Sequence, residues 1–77
     1  MSIKERMTFA EELANAVKSK RKELGFTQEK LAGISGVGIR FLVELESGKK
    51  ETLQIGKIQH VLKRLGLTLQ INIRNTN

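Results

Sequence analysis

The sequence predicts an all-α fold of four or five short helices, closed by a single β-strand. Three observations carry this expectation. Apolar residues recur every three or four positions through most of the 77 residues, and glycines fall at the ends of those stretches, where a chain leaving a helix takes positive φ. In the last stretch, LTLQINIR, the period drops from 3.6 to 2. The length allows one small domain, 1–77, and the absence of cysteine removes disulfides and thiolate metal sites, so packing alone must hold it. A core this thin is commonly enlarged by a partner chain, which makes oligomerisation an expectation from size alone.

Residues 1–7 are polar and read as a flexible arm. Thr8 followed by Glu11 forms the pattern of a capping box, opening a first helix that runs to about Leu24 and is stopped by Gly25. Its expected inward stripe is Phe9, Leu13, Ala16, Val17 and Leu24, with Lys18, Lys20, Lys22 and Glu23 facing water. Thr27 is the N-cap expected for a second helix. That places Gln28 and Glu29 in the first turn with outward amides, a position that can hold a phosphate. Leu31 and Ala32 supply its apolar face, and Ile34-Ser35-Gly36-Val37 makes the turn, Gly36 providing the positive φ. A third helix is predicted from Gly38 or Ile39 to near Ser47, burying Leu42 and Leu45, with Gly48 in the left-handed conformation. Thr52 is expected to cap a fourth, whose Leu53, Ile55, Ile58, Val61, Leu62 and Leu65 recur at helical spacing up to Gly66.

Beyond Gly66, Leu67, Leu69, Ile71 and Ile73 alternate with Thr68, Gln70, Asn72 and Arg74, so 67–74 reads as a strand. A lone strand leaves its amides and carbonyls unpaired. The same strand of a second copy, antiparallel about a two-fold axis, is the expected partner; this makes 67–74 a dimerisation strand and the protein a homodimer. A frayed tail is the alternative.

Fourteen Lys and Arg against eight Asp and Glu give a net charge of +6, which points either to a polyanionic partner or to a solvated basic surface. No apolar run is long enough for a membrane helix, and residues 1–7 do not resemble a signal peptide, so a cytoplasmic location is expected. Nothing supports catalysis, a metal or a cofactor. His60, the single histidine, lies inside a helix without cysteine or paired carboxylates around it, and Gly36-Val37-Gly38 follows a helix rather than the strand a nucleotide loop requires. A sharp turn joining two short helices, the second with an exposed face, is the geometry that fits a DNA major groove. The outward face of the third helix is Ile39, Arg40, Val43, Glu44 and Ser47. Arg40 can pair with guanine or a phosphate, Ile39 and Val43 can pack on thymine methyls, and Glu44 can accept from cytosine or repel phosphates. Lys49 and Lys50 suit phosphate anchoring.

With these residues in view, TQEKLAGISGVGIRFLVELESGK, preceded by KSKRKELGF, resembles the helix-turn-helix of the phage-repressor and Cro-like (Xre) family, over roughly 9–67. The resemblance implies a phosphate or base contact for Gln28, a recognition-helix start at Gly38, Ile39 and Arg40, and a structural ion pair between Arg21 and Glu46. Gly38 departs from the commoner Ser or Thr cap, and Ile39 replaces a position that is frequently polar. The fourth helix and closing strand are further similar to the HipB-type antitoxins. That likeness implies a dimeric repressor that binds the palindromic operator of its own operon and a HipA-like kinase toxin. An Xre-family regulator without a toxin, and a module whose main work is toxin neutralisation, remain as alternatives.

Overall fold

A computed structural model describes residues 7–71. Among them are four helices: α1 (Phe9–Glu23), α2 (Gln28–Ser35), α3 (Ile39–Ser47) and α4 (Ile55–Leu65). None is long and apolar enough to cross a membrane.

The local signals act where the residue types demand. The Thr8 hydroxyl accepts from the Glu11 amide at 3.1 Å while the Glu11 carboxylate accepts from the Thr8 amide at 2.9 Å, so each satisfies a donor that the start of α1 leaves free. Thr27 caps α2 by accepting from the Lys30 amide at 3.0 Å. At the end of α2, Gly36 takes φ +70° and the Val37 amide reaches back to the Ala32 carbonyl at 3.1 Å, closing a Schellman turn that seats Val37 against the core. Both α1 and α2 pack against both α3 and α4. The centre is apolar and closed: Val17, Leu31, Leu42 and Val61 are fully buried, with Leu45 and Leu65 beside them.

Three expectations are corrected. The buried stripe of α1 is Ala10, Leu13, Ala14, Val17 and Arg21, whereas Phe9 is 60% exposed and Leu24 44% exposed, with Ala16 also at the surface. The stripe keeps Leu13 and Val17 but is rotated by about 60°, and Arg21, paired with a charged partner, takes a place on it that an apolar residue would hold. Thr52 does not cap α4. Gln54 is the N-cap, so Leu53 precedes the helix and packs on the core from there, while Ile55 is 58% exposed. Leu53 and Ile58 thereby stand one before the cap and four after it, the positions of a hydrophobic staple. Leu67, expected as the first residue of a strand, instead belongs to the end of α4. Its amide donates to the Leu62 carbonyl at 2.9 Å, and its side chain packs on the core. Residues 67–71 form no strand in the single chain; Leu69 and Ile71 are exposed, and Ile73 with the rest of the expected strand lies outside the described residues.

Candidate nucleic-acid interface

The third helix divides cleanly. Leu42, Leu45 and Glu46 are buried, and on the other side Ile39 and Val43 are left 44% and 45% exposed beside an exposed Arg40. Two β-branched apolar side chains each leave nearly half of their surface in water here, apolar area that a partner surface could still bury. The start of α3 is open as well. Gly38 offers no side chain to cap it and no acidic residue lies in the first turn, so the outward amides and the positive end of the helix dipole are unshielded.

The position of α3 is fixed by one carboxylate. Glu46 accepts from Arg21 Nε at 2.6 Å and from Arg21 Nη2 at 3.0 Å, a fork that matches the two guanidinium donors to the two oxygens. Arg21 Nη1 also donates to the Phe26 carbonyl at 2.8 Å, tying the loop after α1 into the same knot. Both charges are largely withdrawn from water, the side chains being 11% and 3% exposed. The bond to Glu46 raises the Arg21 pKa further above its ordinary value; burial opposes this and the nearby carboxylate charge adds to it. Gln28 Nε2 is a further donor to Glu46 Oε1 at 3.0 Å. A half-buried Gln28 at the start of α2 is thus anchored from behind, with its amide oxygen and second amide hydrogen unpaired among the described residues. This contact has no signature in the sequence, since nothing in the spacing of 28 and 46 joins them.

The basic residues after α3 behave differently from one another. Lys50 Nζ lies 3.4 Å from Glu44 Oε2, so the carboxylate at the rim of the exposed face is partly neutralised. Lys49 makes no ion pair among the described residues, and its amide donates to Ser47 Oγ at 3.2 Å. Thr27, Gln28, Gly38, Ile39, Arg40, Val43, Glu44, Lys49 and Lys50 therefore belong to the start of α2, to α3 and to the loop that leaves it. No group of three or more His, Cys, Asp or Glu able to hold a metal occurs among the described residues.

Two short helices crossing at a glycine turn, the second locked from behind and open in front, define a helix-turn-helix DNA-binding domain. The chain belongs to the helix-turn-helix domain family, whose model matches residues 14–76. Among curated proteins it is similar to the HTH-type transcriptional regulator y4mF of Sinorhizobium fredii (strain NBRC 101917 / NGR234), itself described as uncharacterised, with 53% identity over 51 residues. That alignment covers 66% of this chain and 66% of the relative. No solved structure matches the chain. The family match and the relative together support an Xre-like helix-turn-helix family, and the chain spans just under two thirds of the relative's length.

Proposed function

We propose that the chain is a sequence-specific transcriptional repressor that works as a homodimer on a palindromic operator, and that it is the antitoxin of a HipBA-like type II toxin-antitoxin operon, autoregulating its promoter and binding its kinase toxin in the cytoplasm. The observation that carries the DNA-binding part is the exposed face of α3, where Ile39, Arg40 and Val43 stand out from a helix whose opposite side is fully buried. Base selection falls on Ile39, Arg40, Val43 and Glu44. Phosphate contacts fall on Lys49, Lys50, Gln28 and the open amides at Thr27 and Gly38, and these set the register. No reaction and no cofactor are ascribed to the protein.

The dimer rests on the alternation of Leu69, Ile71 and Ile73, of which Leu69 and Ile71 are exposed in the single chain. With Leu67 committed to the end of α4, the pairing stretch is 68–74. Pairing across a two-fold axis sets the two α3 helices about one DNA turn apart, some 34 to 36 Å. The antitoxin assignment rests on the similarity of the α3 to tail region to HipB-type proteins. A regulator without a toxin is the second reading, favoured by the name of the Sinorhizobium relative. A module that chiefly neutralises a toxin is the third.

The test is a salt-dependent gel shift of the chain's own promoter fragment. Retardation by the protein alone, with a scrambled duplex left unbound, supports the repressor; binding only after addition of a partner protein favours the interaction module. Co-purification with the product of an adjacent kinase-like gene separates the antitoxin from the stand-alone regulator.

A further inference from the structure

The end of α2 and the outer face of α4 enclose an open cleft of about 410 Å³, within the range of ligand pockets. Its ionisable lining residues are His60, Lys63 and Arg64, and no carboxylate lines it. All of α4, IGKIQHVLKRL, lacks an acidic residue, and neither Lys63 nor Arg64 makes an ion pair among the described residues. Lys57 continues the same row toward α3, its Nζ 5.7 Å from the centre of the Phe41 ring.

Cations in the last turn of a helix complement its dipole, which accounts for Lys63 and Arg64 but not for the opposite wall. That wall contains Gly33, in the interior of an eight-residue helix. Glycine there weakens a helix relative to alanine, and a Cβ at Gly33 would meet nothing within 4 Å, so neither packing nor a turn requires it. Its effect is to leave the cleft open. Ser35, also on the lining, is 5% exposed, and its Oγ is a buried polar atom without a hydrogen-bond partner among the described residues. A buried hydroxyl of this kind ordinarily has an acceptor or donor beside it.

We propose that this cleft is a docking site for an acidic segment of a partner polypeptide, whose carboxylates meet His60, Lys63 and Arg64 while its backbone lies against Gly33 and Gly36. His60 and Arg64, four residues apart, stand about 6 Å from each other along the axis, close to the roughly 6.7 Å between same-side residues of an extended acidic strand, with Lys63 beside them. A duplex is the poorer fit. α3 and α4 are each packed on α1 and α2, and none of Ile39, Arg40, Val43 or Glu44 lines the cleft. The site is independent of the DNA-binding reading, which stands whichever way the following test falls.

The full-length protein labelled with nitrogen-15 is titrated with a hexaglutamate peptide, hexaglutamine, inorganic phosphate and a duplex, following amide shifts. Hexaglutamate is expected to move Gly33, Ser35, Gly36 and Lys63, with hexaglutamine and phosphate silent at the same concentration. Lys63→Gln with Arg64→Gln should weaken hexaglutamate binding at least tenfold. Gly33→Gln, a helix-compatible change into open space, should do the same while thermal stability is kept or raised. Equal shifts from phosphate alone identify a small-anion site and overturn the proposal. It is likewise overturned if hexaglutamate shifts spread over Lys18 to Lys22, Lys49 and Lys50, if the duplex moves His60 and Lys63 on α4 as hexaglutamate does, or if the folded Gly33→Gln variant binds hexaglutamate as well as the parent.

Discussion

Glu46→Ala is the substitution for which the structure makes the sharpest forecast. It removes the acceptor of both Arg21 fork bonds and of the Gln28 amide, and strands a guanidinium whose side chain is 11% exposed. Removing one partner of a buried pair costs about 3 to 5 kcal/mol, most of it the penalty of the uncompensated charge. A domain of this size is stable by roughly 4 to 12 kcal/mol in all, so the variant loses a quarter or more of its stability. For a domain of 60 to 100 residues each kcal/mol lowers Tm by about 4 to 8 °C, so a fall of at least roughly 12 °C is expected by circular dichroism, with a matching drop in the urea midpoint. The double variant Arg21→Met, Glu46→Leu separates the causes. It abolishes the same bonds but leaves no buried charge, only the Phe26 carbonyl without its donor and the half-buried Gln28 amide without its acceptor, and should recover at least half of the loss. A Glu46→Ala protein that melts within about 4 °C of the parent, the equivalent of less than about 1 kcal/mol, would refute the view that this carboxylate holds α3 in place.

The other expectations concern binding, backbone and assembly. Arg40→Ala should cost about 1 to 3 kcal/mol on the operator and little on a scrambled duplex; equal losses in fluorescence anisotropy on both would make Arg40 a phosphate contact. Lys49→Gln should reduce the slope of log K against log salt by about one unit, and an unchanged slope removes it from the interface. Gly48 has φ +71°, and a Cβ there would lie 3.3 Å from both Ala14 Cβ and Glu11 Cα. Gly48→Ala should therefore destabilise by about 1 to 2 kcal/mol from the left-handed conformation alone, and an unshifted urea midpoint contradicts this. Truncation after Leu67 spares the cap of α4 and removes the pairing stretch, so sedimentation should show a monomer; a persistent dimer rules out strand pairing.

What the residues disclosed in advance, and what they withheld, follows from the range of each interaction. Caps act between neighbours, so Thr8 with Glu11, Thr27, Gly36 and Gly48 were readable as punctuation, and α2 and α3 emerge at the expected places. Periodicity locates a helix but leaves its rotation open where a charged residue shares the stripe. Arg21 is the case in point: it is buried through a bond to a residue 25 positions away, and it shares the inward stripe with Ala10 and Ala14 while Phe9 and Leu24 lie at the surface. The pattern 53, 55, 58 suited a helix start at Thr52 equally well, because a staple residue and a helix residue are both apolar. Gln28 bonding to Glu46 was out of reach, since both are polar residues at positions equally consistent with solvent. The exposed face of α3 was legible because burial of Leu42 and Leu45 dictates what must point the other way.

A single carboxylate gathers donors from α1 and α2 onto α3, with the loop at Phe26 tied in through the same guanidinium. The residues that hold the reading helix are therefore separate from those it presents. Ile39, Arg40, Val43 and Glu44 take no part in the bonds of that mount, so under the proposed reading new operator preferences are open to the protein by substitution at these four positions. The mount also makes each protomer a stiff unit. If two copies pair as proposed, tolerance for operators of differing half-site separation comes from the joint between them, and lengthening the chain after Leu67 is the economical way to retune it.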